Sequence, residues 1–374
     1  MSEIMFKAGN KVIGDHHPCF IIAEAGVNHN GSIELAKKLI DVAAAAGVDA
    51  VKFQVLTAKG LYVQDAGRVV TDTGDDIDIY KVWEKVEMPA SWIPELKKYC
   101  EQKKVLFFSS AFDEHSVEML DPYVELYKIA SSELTHIPLL KKVARTGKPI
   151  IISLGGAKLE EIEEAVKAIF EEGNTSVVLL HCVLKYPTPL HLANVSAVRT
   201  IKEKFPSVLV GYSDHSLEPA DVPAAAVALG ANVIEKHFTL SRAMQGIDHK
   251  MSLQPDELWE MVQGIREMEQ KINGAIKIDI SPELVGNGDF YIAEDTQKIR
   301  SFVRRTIFAM KPIQKGEKFT SDNIAVLRPG NRNTTNALHP REYFQVIGQQ
   351  ATENIQALSV ITQEIMEKIN YLEK

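Results

Sequence analysis

Two histidines end two apolar runs of this chain, His215 in Gly211-Tyr212-Ser213-Asp214-His215-Ser216 and His237 in Ile234-Glu235-Lys236-His237-Phe238-Thr239. If those runs are neighbouring strands, they lie about 4.8 Å apart, and two imidazoles at their ends can share one divalent ion. A single strand-end histidine more often hydrogen-bonds within a core, but two on consecutive strands bring the metal reading level with that one. Open coordination positions beside two imidazoles suit manganese, iron or zinc acting as a Lewis acid on a carbonyl oxygen. Asp248, in Ile247-Asp248-His249, is either a further ligand or an ordinary loop acid. Lys52 and Lys128 also fall near strand ends, where a buried ammonium needs an anion beside it. Together with the hydroxyls of Ser110, Ser131, Ser153 and Ser213 they make a pocket for a phosphate and a carboxylate, the anionic groups of phosphoenolpyruvate. Two other readings stay open from the residues alone. One lysine pairs structurally with Glu24 or Glu133, or Lys128 is the Schiff-base nucleophile of a pyruvate aldolase, since desolvated strand lysines do that chemistry.

These groups need a frame that brings many strand ends to one place. Short apolar runs occur near Phe20 to Ala25, Ala50 to Gln54, Val105 to Ser110, Leu126 to Ser131, Pro149 to Gly155, Ser176 to Val183, Val208 to Ser213 and Asn232 to His237. Amphipathic stretches alternate with them. Ser32 to Gly47 carries Leu35, Leu39, Val42 and Ala46 as a stripe between an N-cap serine and a C-terminal glycine. Lys158 to Glu171 places Leu159, Ile162, Val166 and Ile169 on one face and four glutamates on the other. Eight strand-then-helix units without a Gly-x-Gly-x-x-Gly turn predict a (β/α)8 barrel rather than a doubly wound sheet. In such a barrel the site lies at the carboxyl ends of the strands. Side chains alternate along a strand, so Lys52 shares a face with Gln54, and Ser213 with His215. The alternation stops after Asp256 to Ile272. We therefore expect a barrel over residues 1–275, a polar linker over 276–296 and a small β-rich domain over 297–374, punctuated by Pro312, Gly316, Pro329, Gly330 and Pro340. A unit that small buries little core of its own and gains from docking on a barrel.

The composition excludes other classes. Lys plus Arg number 42 against 50 Asp plus Glu, a net charge of −8, and no basic run offers a footprint for nucleic acid or a membrane surface. An anionic substrate must therefore be held by a local pocket. The three cysteines, Cys19, Cys100 and Cys182, are odd in number and widely spaced, which fits buried thiols in a reducing compartment. No apolar run has the length of a membrane span, and the expected location is the cytoplasm.

With these residues in place, the chain resembles a known family. Ile22-Ala23-Glu24-Ala25-Gly26-Val27-Asn28-His29, Val51-Lys52-Phe53-Gln54, Tyr127-Lys128-Ile129-Ala130-Ser131-Ser132-Glu133, Tyr186-Pro187-Thr188-Pro189, Gly211-Tyr212-Ser213-Asp214-His215 and Glu235-Lys236-His237-Phe238-Thr239 are similar to the sialic acid synthases. Ile313-Gln314-Lys315-Gly316-Glu317 and Leu327-Arg328-Pro329-Gly330-Asn331 extend the resemblance into a C-terminal antifreeze-like module. The resemblance implies condensation of phosphoenolpyruvate with an N-acetylated hexose, with C–O cleavage releasing phosphate. It implies manganese, or in its place magnesium or cobalt, on His215 and His237. Lys52, Ser110, Lys128, Ser131, Ser153 and Ser213 would then hold phosphoenolpyruvate, while Gln54, Tyr186 and Asp248 contact the sugar. Glu133 is assigned as the base that handles water, and Glu24 as the residue positioning sugar or water. Arg328 matches the arginine with which the module closes the partner subunit's site, which implies a domain-swapped homodimer.

Two departures bear on the acceptor. Leu184, in His181-Cys182-Val183-Leu184-Lys185-Tyr186, replaces an asparagine of bacterial sialic acid synthases, and Thr73-Gly74-Asp75-Asp76 lacks a sugar-contacting asparagine of those enzymes. The Leu184 to Pro187 pattern is closer to the spore-coat polysaccharide members, so a differently substituted or longer sugar is expected as acceptor. A non-catalytic carbohydrate-binding role would require a degraded barrel mouth, which the lysine, glutamate and histidine set does not show.

Overall fold

The computed structural model describes residues 3–70, 76–289 and 294–365. The eight apolar runs form parallel strands: β1 (Phe20–Gly26), β2 (Ala50–Val55), β3 (Leu106–Ala111), β4 (Tyr127–Ile129), β5 (Ile150–Ser153), β6 (Val177–Cys182), β7 (Leu209–Asp214) and β8 (Val233–His237). They close in sequence order into one barrel, β8 pairing with β1. Runs such as Ile150-Ile151-Ile152 are buried on both faces, one against the barrel interior and the other against the helical ring, which is why they read as continuous rather than alternating.

The helix Ile33–Ala46 begins where Ser32 Oγ accepts from Leu35 N at 3.3 Å and ends at Gly47, whose φ of 85° suits a residue without Cβ. Its buried face is Ala36, Leu39, Ile40, Ala43 and Ala46. The expected stripe is therefore turned by part of a turn, because alanines let the helix sit close to the strands while Leu35 and Val42 flank the contact. In the helix Leu159–Phe170, Ile162, Val166 and Ile169 are buried as expected.

Beneath the barrel, Met5–Ala8 and Lys11–Gly14 form an antiparallel hairpin that buries Ala8 and Ile13. Asn232 Nδ2 donates to Gly14 O at 3.1 Å, and Lys11 pairs with Asp49 at 2.7 Å, fixing the hairpin to the amino ends of the strands. Beyond the barrel, Glu294–Val303 is a helix, part of it in the stretch read from sequence as linker. Strands β9 (Thr306–Ala309) and β10 (Ile324–Leu327) then pair antiparallel in a small module. That module has its own core, including Ile307, Ile313, Phe319, Leu338 and Ile361. A second cluster joins it to the barrel: Phe308 and Leu327 pack with Leu56, Leu61, Tyr62, Val63 and Phe112. Backbone bonds between Arg328 and Leu61 (2.9 Å) and between Val63 and Arg328 (3.1 Å) hold that seam. Among the described residues no helix is long and apolar enough to cross a membrane.

Candidate active site

The carboxyl ends of the strands surround a cavity of about 340 Å³. Lys52, Lys128, Ser110, Ser131, Ser153, Ser213, Glu24, Gln54, Tyr186, His215, His237, Asp248 and Arg328 all line it, so all the sequence candidates but Glu133 meet in one place.

At its floor lies a lattice of two lysines and two glutamates. Lys52 Nζ is 2.8 Å from Glu24 Oε2 and donates to Ser110 Oγ at 3.1 Å. Lys128 Nζ donates to Glu235 Oε1 at 2.9 Å, and Lys52 lies 3.7 Å from the same oxygen. Gln54 Nε2 donates to Glu24 Oε1 at 2.8 Å. Burial raises the Glu24 carboxyl to about 7, against the lowering influence of Lys52. Glu235 is also fully buried, but Lys128 and Lys52 outweigh burial and hold its carboxyl below the ordinary range. Burial lowers Lys128, and Glu235 opposes that shift. Glu235 stands with His237 among the strand-end polar residues of the sequence, although neither spacing nor resemblance gives it a role. It shares a face with His237 by the alternation that grouped Ser213 with His215, so that signal was present in the sequence.

The serines differ in how they are engaged. Ser213 Oγ donates to Glu235 Oε1 at 3.4 Å, and Ser131 Oγ accepts from Gly155 N at 3.1 Å. Ser153 Oγ is buried without a hydrogen-bond partner among the described residues. An unpaired hydroxyl in a cationic cavity suits a phosphate or carboxylate oxygen. Ser109, by contrast, turns into the sheet, donating to Phe53 O and accepting from Val55 N.

The two imidazoles stand with ring centroids 5.5 Å apart and planes inclined by 41°. Burial lowers His215 to about 3 and takes His237 well below its ordinary value, so both are neutral and have a lone pair to offer. His237 Nδ1 is buried, makes no hydrogen bond among the described residues, and lies 3.9 Å from Asp248 Oδ2. An orphaned ring nitrogen beside a second neutral imidazole fits a divalent ion. No group of three or more metal-ligating side chains converges among the described residues. The protein's share of such a site is therefore the histidine pair, with Asp248 close by. Burial raises the Asp248 carboxyl to about 6, a backbone bond from Val27 acting against it. Tyr186 sets its ring edge-on to His215 at 4.4 Å at the exposed rim.

Glu133 requires a correction. It lies outside the cavity lining, fully buried, with Arg305 bonded to one carboxylate oxygen and Arg328 to the other. Burial alone would raise its carboxyl, but Arg305 and Arg328 bring it down to about 2. Held that far below neutrality by two guanidiniums, the carboxylate is too weak a base to draw a proton from water, and its place in the structure is that of an anchor for arginines. Arg305 also donates to Gly60 O, Val326 O and Phe112 O at 2.7–2.8 Å, tying module to barrel. Arg328 donates to Ser132 Oγ at 2.6 Å and lies over the rings of Tyr62 and Phe112. It reaches the mouth of its own chain's barrel, where the resemblance implied a partner's.

Sequence reasoning also missed Arg300 and Arg304, on the helix Glu294–Val303 and just after it. Arg304 donates to Ser131 O at 2.7 Å and to Gly156 O at 3.1 Å, and Arg300 binds Gly156 O and Glu161. The loops after β4 and β5 are thus held from above. An apolar wall of Trp83, Phe112, Leu184, Ile247 and Met251 faces the polar floor. Leu184 packs against Gly156, where a Cβ would come within 2.9 Å of its Cδ2. The other departure, Thr73 to Asp75, lies outside the described residues, while Asp76 pairs with Arg68.

The NeuB family model matches residues 39–277 and the SAF domain model residues 304–364. The spore coat polysaccharide biosynthesis protein SpsE of Bacillus subtilis is 44% identical over 94% of each chain. Its crystal structure matches with a TM-score of 0.86 at 42% identity, covering 97% of this chain and 99% of that one. The N,N'-diacetyllegionaminic acid synthase of Campylobacter jejuni is 38% identical over 89% of this chain and 96% of its own length. A crystal structure of N-acetylneuraminic acid synthetase from Leptospira borgpetersenii in complex with citrate matches with a TM-score of 0.66 at 34% identity, covering 79% and 95% of the two chains.

Proposed function

We propose, because this chain belongs to the NeuB family, that it condenses phosphoenolpyruvate with an N-acetylated or related aldose to give a nonulosonic acid and phosphate. The observation that carries the proposal is the floor of the cavity, where Lys52 and Lys128 stand among buried hydroxyls in the same chamber as two neutral imidazoles. Lys52, Lys128, Ser110, Ser131, Ser153 and Ser213 hold the phosphate and carboxylate of phosphoenolpyruvate. C3 of phosphoenolpyruvate forms a bond to the aldehyde carbon, the aldehyde oxygen takes a proton, water adds at C2, and the C2–O bond to phosphate breaks.

Glu24 replaces Glu133 as the group that moves protons. Its carboxyl, placed near 7, can take a proton from the attacking water at neutral pH. His215 and His237 are the residues that would hold a divalent ion, manganese by family resemblance, or magnesium or cobalt in its place. The chemistry that such an ion supplies is Lewis-acid polarisation of the aldehyde oxygen. Gln54, Tyr186, Asp248 and Arg328 orient the sugar, and the apolar wall around Leu184 supports an acceptor carrying methyl or acetamido groups.

The Schiff-base alternative is disfavoured by the pairing of Lys128 with Glu235, which opposes the lowering by burial and occupies the amine as a donor. The resemblance also leads us to infer a homodimer with exchanged modules, in which Arg328 would meet Glu133 across subunits as it does here within one chain. The three unpaired, buried thiols support a cytoplasmic location. The test is incubation with phosphoenolpyruvate and a panel of aldoses, following phosphate and weighing the product. Phosphate release dependent on both an aldose and a divalent ion is expected. Turnover that survives chelators, with Lys128 trapped by borohydride, would overturn the proposal.

A further inference from the structure

The strands that present the histidines carry a charged pair on their opposite faces. Asp214 and Lys236 are register partners across β7 and β8. Asp214 stands between Ser213 and His215, and Lys236 between Glu235 and His237, so alternation turns both away from the cavity. Neither lines it, and both are sealed from solvent. The bonds of this cluster close on one another, apart from a long one from Ser216 Oγ to Glu218 O at 3.5 Å. Lys236 Nζ donates to Asp214 Oδ2 and, at 3.1 Å, to Ser216 Oγ. Ser216 Oγ donates to Asp214 Oδ2 at 3.1 Å, and Ser216 N donates to Asp214 Oδ1 at 2.8 Å.

Stability alone is a poor reason for such a cluster. Each buried ion costs several kcal/mol of desolvation, and an apolar pair of similar volume commonly holds a fold as well or better. Register and local geometry supply a better reason. A slip of one residue between β7 and β8 would carry Asp214 or Lys236 into the cavity and take a histidine out of it. The bonds from Ser216 back to Asp214 tie together the two neighbours of His215, whose own carbonyl accepts from Thr188 N at 2.9 Å.

We propose that Asp214, Lys236 and Ser216 form a positioning brace that holds His215 and His237 at the separation a divalent ion needs. The brace rests on the metal reading above and acts through the backbone, not by touching substrate. The test uses the full chain and two variants. Lys236→Met combined with Asp214→Leu removes both charges together at similar volume, and Ser216→Ala removes only the bridging hydroxyl. Mn2+ affinity is read from the electron paramagnetic resonance of free Mn2+, and folding from the thermal midpoint. Groups that orient metal ligands from behind typically contribute about 10- to 100-fold in affinity. The double variant should therefore bind Mn2+ at least about tenfold more weakly while melting cooperatively, with a smaller weakening in Ser216→Ala. Wild-type affinity in either folded variant overturns the brace, as does a fall in thermal midpoint with affinity intact. Should the double variant fail to fold, Ser216→Ala decides. Absence of Mn2+ binding by the unaltered chain would instead remove the metal reading, and the brace with it.

Discussion

Glu24 and Glu133 are both fully buried, yet burial raises Glu24 to about 7, whereas Arg305 and Arg328 bring Glu133 down to about 2. Their roles follow from those partners. Glu24→Gln should lower kcat by about 10²- to 10⁴-fold, the usual share of a positioned base. In the unaltered chain kcat/KM should rise with pH through a midpoint near 7, and that limb should vanish in the variant. A pH profile unchanged by the substitution would remove Glu24 from proton transfer. His215→Ala or His237→Ala should abolish metal-dependent phosphate release with the circular dichroism spectrum intact, and undiminished turnover would end the metal role. Residue types and strand-end spacing gather most of the cavity lining from sequence, and the family resemblance adds Arg328. What spacing cannot reveal is which charges stand beside a buried carboxylate. Glu133, expected as the base, is paired with Arg305, a residue 172 positions away in the chain.

The eight strands were legible because fully buried parallel strands are dense in β-branched and aromatic residues, as in Ile150-Ile151-Ile152. The N-terminal hairpin and the helix Glu294–Val303 were not. Lys11-Val12-Ile13-Gly14 is too short to declare a period, and Glu294-Asp295-Thr296-Gln297-Lys298 is as polar as a linker. The latter omission matters, because this helix leads into Arg304, whose guanidinium holds the carbonyls of Ser131 and Gly156. Those loops carry or adjoin hydroxyls assigned to phosphoenolpyruvate. Arg304→Ala should therefore raise the KM for phosphoenolpyruvate by about 10-fold or more, the scale of a lost hydrogen bond to a charged group. An unchanged KM would make Arg304 a packing residue only. Arg328→Ala should act differently, raising the KM for the sugar more than that for phosphoenolpyruvate, and equal effects would argue against closure of the mouth by this residue.

Barrel and module are joined through Glu133, on which two guanidiniums of the module converge. Its carboxyl sits below the unfolded-state value of about 4.3. The stabilisation it contributes is complete above that pH and is lost as pH falls toward about 2. Thermal denaturation followed from pH 5 downward should show this loss, and Glu133→Gln should flatten the dependence over the same window. A variant that keeps the full acid dependence would place the sensitive group elsewhere. The most direct test of the whole account is the mass of the product formed from phosphoenolpyruvate and an N-acetylated aldose in the presence of Mn2+. One new acid is expected, heavier than the aldose by a pyruvic acid unit, in step with released phosphate. Phosphate released without a joined product, or pyruvate attached to Lys128 after borohydride, would contradict it.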